Sequence, residues 1–183
     1  SYFDSPKFSV SPLKHLLRAK AVLCPGLKVV FVDETASSVA EKQFDWYFEH
    51  GLEDYIGAEL EGLELLPEVP FTGSLEGQEE AVDWAVQWQA ESGDLISESY
   101  VNLIPTTQGG THVNGLRAGL LEALREFCEF RNLVPRGIKI TAEDIWDKCN
   151  YVLSAKMVEP QFAGQAKERL NSRQAVTFIS GVV

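Results

Sequence analysis

Residues 81–89, AVDWAVQWQ, decide the fold. Val82, Trp84, Val86 and Trp88 alternate with Asp83, Ala85 and Gln87. A period of two with one apolar set is the pattern of a strand with one buried face. Ser92-Gly93-Asp94 then makes a turn, and Leu95 to Ile104 reads as a second strand, so the two are expected to pair as a hairpin. Pro105 to Gly110 is a loop. Val113 to Arg131 is the best amphipathic helix, with Leu116, Leu120, Leu124, Phe127 and Cys128 on one face. Thr141 caps a further helix, with Asp144 where a capping box puts an acid. Tyr151, Leu153, Ala155 and Met157 alternate with Val152, Ser154 and Lys156, giving a third strand. Asn171, with Gln174 three residues on, starts a last helix. Strand, strand, helix, helix, strand, loop, helix is an α+β order, a sheet with helices on one face.

Upstream the signals are shorter. Ser11-Pro12 opens a helix, with Ser as cap and Pro at the first helical position, and Cys24-Pro25-Gly26 ends it. Lys28 to Val32 and Phe44 to Phe48 read as strands, with a turn over Asp33 to Lys42. His50-Gly51 breaks the chain before a helix over Leu52 to Leu60. From Glu59 to Glu80 acids accumulate around Pro67, Pro70, Gly73 and Gly77. This stretch reads as a boundary rather than an element, with a domain junction near residues 61–66.

Composition narrows the function classes. Hydrophobic residues make up 45% of 183, enough for a real core, and net charge is −11. Phosphate-backbone binding needs Lys and Arg concentrated on one face, so this chain is a poor nucleic-acid clamp by its overall field. No apolar run is long enough to span a membrane, and SYFDSPKFSV does not read as a signal peptide. Cys24, Cys128 and Cys149 form no CxxC, which fits reduced thiols in a cytoplasm.

No nucleophile elbow, Walker loop or zinc helix is present, and His15, His50 and His112 lack metal-ligand spacing. Gly109-Gly110-Thr111-His112 precedes the long helix and could hold an anion, but a tight turn plus a Thr cap is the preferred reading. Lys14 and Arg18, with Lys7 and Lys20 nearby, read as a solvated basic face. Trp84 and Trp88 read as core. One loop remains, PQFAGQAKERL at 160–170. Gly164 lets the chain bend, Gln165 offers an amide donor and Lys167 a compact charge. It is either a solvated connection or a clamp for a terminal phosphate.

Taken together, SESYVNLIPTTQGGTHVNGLRAGLLEALREFCEFRNLVPRG, AEDIWDKCNYVLSAKMVEPQFAGQAKERL and NSRQ resemble the B subunits of bacterial type II DNA topoisomerases. SYVNLIP and REFCEFRN are more similar to the topoisomerase IV branch than to gyrase. The resemblance covers essentially the whole chain. It implies that residues 1–65 are the C-terminal part of a GHKL ATPase domain. Residues 66–183 would be a transducer domain with a ribosomal-S5-domain-2-like fold. It also implies ATP and Mg2+ as cofactors, no metal ligands within this chain, and a place in the cytoplasm. The implied partners are the topoisomerase IV A subunit, DNA in the full enzyme, and a second B subunit on ATP binding.

In the family this loop carries Gln-Thr-Lys and contacts the γ-phosphate of ATP. Carried over, Gln165 and Lys167 bind the phosphate, and Lys167 also acts catalytically. Ala166 stands where the family has Thr, so a hydroxyl that could anchor the loop is replaced by a methyl group. The family's general base, Mg2+-binding Asn, adenine-binding Asp and lid would precede this chain. By itself it is therefore expected neither to hydrolyse ATP nor to cleave DNA. Two other readings stand beside this one: an S5-like protein-interaction domain with no nucleotide role, and gyrase B rather than topoisomerase IV. An RNA-binding S5-like domain is disfavoured by charge.

Overall fold

The computed structural model describes residues 9–38 and 42–183. Lys7, the SYFDSPKF segment and residues 39–41 of the expected turn lie outside the described residues. The chain forms two compact units, Ser1–Tyr55 and Ile56–Val183.

In the first unit, helix α1 (Val10–Leu23) leads to an antiparallel pair, β1 (Val29–Val32) and β2 (Gln43–Trp46), with Val29 opposite Trp46 and Val32 opposite Gln43. α1 starts before the expected Ser11-Pro12 cap, at Ser9. Pro12 is then the third helical residue, where its missing N–H would have been an orphan in any case. Lys14 and Arg18 are not simply solvated. The Lys14 ammonium lies 3.7 Å over the Phe44 ring and the Arg18 guanidinium 5.1 Å over Tyr55. Helix α2 (Leu52–Glu59) contains the division between the units.

The second unit is a five-stranded sheet in the order β3-β4-β7-β5-β6. The strands are β3 (Leu65–Glu76), β4 (Glu80–Gln89), β5 (Ser97–Val101), β6 (Ile104–Pro105) and β7 (Cys149–Met157). The helices are α3 (Thr111–Phe130), α4 (Ala142–Trp146) and α5 (Gln174–Val182). Two expectations are corrected here. First, the second strand does not form a hairpin with β4. β7 lies between them, antiparallel to β4 and parallel to β5. A parallel pair needs a crossover, and the segment containing α3 and α4 supplies it. Leu95–Ile104 is itself broken by a two-residue turn at Asn102-Leu103, both at positive φ.

Second, Glu59–Glu80 is not a boundary without structure, for it contains β3, a 12-residue strand. β3 is the sheet edge, where Pro67 and Pro70 remove no essential ladder bond. Its register with β4 jumps between Leu66 and Phe71, and the Gln87 side-chain amide donates to the carbonyls of Pro67 and Glu68 in that bulge. Thus β4 is buried on both faces rather than one, since Ala85 and Gln87 are also buried. Gly73 reads locally as a breaker, yet it is there for packing. A Cβ on it would stand 2.5 Å from the Trp84 indole, which lies over the bare strand.

The core joins Val82, Trp84 and Val86 of β4 and Tyr151 and Leu153 of β7 to Leu116 and Leu120 of α3, Ile145 of α4 and Ile179 of α5. Each such side chain contributes about 1.5–3 kcal/mol by leaving water. The capping box at Thr141 and Asp144 forms as expected. The last helix starts later than expected, with Arg173 rather than Asn171 at its N-cap, and Asn171 instead donates its N–H to the Gln161 carbonyl. The expected apolar face of α3 is buried at Leu116 and Leu120 and partly buried at Leu124, whereas Phe127 is 51% exposed. The reason is length. The 9 residues of α5 span about 13 Å, and Val183 reaches only as far as Gly119.

Gly73→Val should force the Trp84 ring off β3 and lower stability by about 1–3 kcal/mol, read as a lower urea midpoint. An unchanged midpoint would show that the indole can move without loss.

Candidate functional site

The segment after β7 doubles back on itself. The Asn171 N–H donates to the Gln161 carbonyl at 2.7 Å, and the Ala163 N–H to the Arg169 carbonyl at 2.9 Å. The Gln161 N–H donates to the Ser172 hydroxyl at 2.8 Å. At the tip the Lys167 N–H donates to the Gly164 carbonyl at 3.2 Å. The result is a hairpin whose sides are bonded and whose tip carries Gln165, Ala166 and Lys167, all exposed. The tip closes through backbone groups, without help from the residue 166 side chain.

This hairpin is stitched to the start of α3. The Leu170 N–H donates to the Gly109 carbonyl, and the Thr111 N–H to the Leu170 carbonyl, each at 3.0 Å. A Cβ on Gly110 would stand 2.3 Å from the Leu170 carbonyl oxygen, so only glycine allows this approach. The expected Thr cap is absent. Gly110 occupies the N-cap position with no side-chain cap bond, and the glycine pair serves to admit the neighbouring backbone. The Leu170 side chain, fully buried, and the partly buried Phe162 anchor the two sides in the core.

The structure therefore places Gln165 and Lys167 together on one fixed turn. Lys167 has φ 59, a left-handed conformation unfavourable for a side-chain-bearing residue. Its ammonium lies 5.9 Å over the Phe162 ring, within cation–π range. Among the described residues, neither that ammonium nor the Gln165 amide has a hydrogen-bonding partner. Sequence reading missed Gln108. Its backbone N–H donates to the Glu168 carbonyl and its side-chain amide to the Glu168 carboxylate, both at 2.9 Å. Nothing in the spacing of Gln108 and Glu168 announces the pair.

Behind the stitch lies a buried polar cluster. The Thr106 hydroxyl donates to the Ser99 carbonyl at 2.9 Å, and the His112 Nε2 lies 2.9 Å from the same hydroxyl. The Thr106 hydroxyl also lies 2.7 Å from the Ser99 hydroxyl, so the three side chains form one buried network. Burial lowers the His112 pKa to about 4. Cys149 is likewise inert, its thiol pushed up to about 12 by burial. No group of three or more His, Cys, Asp or Glu is placed to hold a metal ion among the described residues. No helix among them is long and apolar enough to cross a membrane.

Comparison with known proteins gives this geometry a family. The model of the family described as DNA gyrase B matches residues 51–183. The chain belongs to the DNA gyrase B family. Among curated relatives, the B subunit of DNA topoisomerase 4 from Salmonella typhimurium is 62% identical over the whole chain, and that from Escherichia coli K12 is 61% identical. The chain spans 28% of the length of each. Two solved structures share the fold. The topoisomerase IV ATP-binding domain of Francisella tularensis, solved with a small-molecule inhibitor, superposes with TM-score 0.80 at 38% identity, over 98% of this chain and 47% of that one. The 43K ATPase domain of Thermus thermophilus gyrase B, solved with an aminocoumarin, gives 0.83 at 29% identity, over 99% and 48%. The α+β, S5-like reading of the second unit agrees with these neighbours.

Two measurements test the site's framework. Gly110→Ala should separate Leu170 from α3 and cost more than about 2 kcal/mol, seen as a lower unfolding midpoint and faster amide exchange at Leu170 and Thr111. The second concerns His112. Near pH 7 both folded and unfolded states are neutral at this residue. Below about 6.5 the unfolded chain takes a proton that the folded chain refuses until about pH 4, so stability falls with pH across that window. The stability advantage of wild type over His112→Gln should therefore shrink by about 1.5 kcal/mol between pH 6.5 and 5. A pH-independent advantage would mean that the fold does not shift this proton.

Proposed function

We propose that the chain is the part of an ATP-dependent type II topoisomerase B subunit that senses the terminal phosphate of ATP. Residues 1–65 are assigned as the C-terminal part of a GHKL ATPase domain and residues 66–183 as the transducer. The observation that carries this reading is the hairpin tip. An ammonium and an amide stand two residues apart, exposed, on a turn whose base is fixed to the core and to α3.

That donor set fits a phosphate. Lys167 supplies a compact positive charge, and Gln165 a neutral N–H donor that adds direction. Held against the terminal phosphoryl group, Lys167 places charge where negative charge shifts as the bond to that group breaks. The contact lasts only while the nucleotide is intact, so its loss reports hydrolysis to the fold that holds Lys167. The hairpin is bonded to the first residues of α3, so displacement of the tip strains the start of a 20-residue helix. Mg2+ belongs to this reaction class as a counter-charge for the phosphates. The described residues offer no cluster of ligands to hold it.

As part of such an enzyme the chain would act in the cytoplasm with a topoisomerase IV A subunit, with DNA, and with a second B subunit on ATP binding. The work would be strand passage and the unlinking of daughter chromosomes. A net charge of −11 suits a relay rather than a surface that grips DNA.

The deciding experiment is steady-state ATP hydrolysis by the full-length B subunit, wild type against Lys167→Ala, with nucleotide binding measured in parallel. Turnover should fall by about a hundredfold or more while binding is largely kept. Unchanged turnover would return the hairpin to a solvated connection.

A further inference from the structure

We propose that Gln108 is a positioning residue for Lys167, and that it works by holding the Glu168 carboxylate away from the phosphate-binding tip. The inference rests on the phosphate-sensing reading and adds to it a residue from outside the loop.

A carboxylate directly after a phosphate-binding lysine is an electrostatic problem. A free Glu168 carboxylate could swing toward the Lys167 ammonium and neutralise it, or stand near the incoming anion and repel it. The structure shows how this is avoided. The Gln108 side-chain amide donates to the carboxylate at 2.9 Å, and the Gln108 backbone N–H donates to the Glu168 carbonyl at 2.9 Å. One residue thus restrains Glu168 at two points. The same restraint acts on Lys167, whose left-handed backbone persists only because its neighbours fix it. Gly164 holds it on one side through its carbonyl, and Gln108 holds the following residue on the other. Gln108 is itself fixed, because the next residue, Gly109, accepts from the Leu170 N–H at the α3 stitch. An amide suits this task better than a cation. Lys or Arg at 108 would pair with Glu168 but would also bring a second positive charge to the tip.

Removing the amide should therefore weaken ATP use without unfolding the loop, since the backbone bond of residue 108 remains in any variant other than proline. In the full-length B subunit, Gln108→Ala should lower kcat about five- to tenfold, with the ATP concentration for half-maximal hydrolysis within about twofold. The fall should be larger at low ionic strength. Adding Glu168→Gln should restore kcat to within about twofold of wild type, because the interfering charge is gone. A merely structural role for Gln108 would give a loss that Glu168→Gln does not repair, and that outcome overturns the proposal. So does unchanged kcat in Gln108→Ala. Lys167→Ala, run alongside, separates the two claims. If it abolishes turnover while Gln108→Ala changes nothing, the phosphate reading stands and the positioning role falls. If it leaves turnover intact, both fall.

Discussion

The backbone of Leu170 lies so close to Gly110 that no side chain fits between them. Through this approach the hairpin after β7 is bonded to the first turn of the long helix. The Leu170 side chain fills the core, so the same residue ties three parts together: the sheet's exit strand, the hairpin and α3. Interior packing transmits displacement because it has little free volume to absorb it. A tip fixed in this way shares its position with the helix behind it.

The polar groups around this stitch are matched to their surroundings. Ser99, Thr106 and His112 are buried and exchange hydrogen bonds, and burial keeps the imidazole neutral. The charged groups, Lys167 and Glu168, stay at the exposed tip, where a full charge loses little hydration. The separation leaves a rigid, uncharged interior beneath an exposed pair of donors.

Much of the fold is legible from the chain alone because its signals are local. Alternation marks β4 and β7, a period of 3.6 marks α3, and Thr141 with Asp144 marks a capping box that forms as written. β3 is hidden because its prolines, its glycine and its bulge are all breakers when read locally. They become compatible with a strand only at a sheet edge, beside Trp84 and Gln87. A β4–β5 hairpin is the wrong pairing because proximity in sequence favours neighbours, whereas the buried surface of β7 demands the central place. Phe127 falls outside the core because periodicity shows which side of a helix is apolar, not how far its partner extends.

By itself the sequence determined the class of the fold, the strands β4 and β7, the long helix α3 and the capping box at Thr141. These depend on residue type and short spacing, which a chain states directly. Tertiary structure alone decided the strand order, the burial of β4 on both faces, the use of Gly110 for close approach and the pairing of Gln108 with Glu168. Each of these joins residues far apart in the chain, and such contacts exist only when the sheet and helices have brought them within bonding distance.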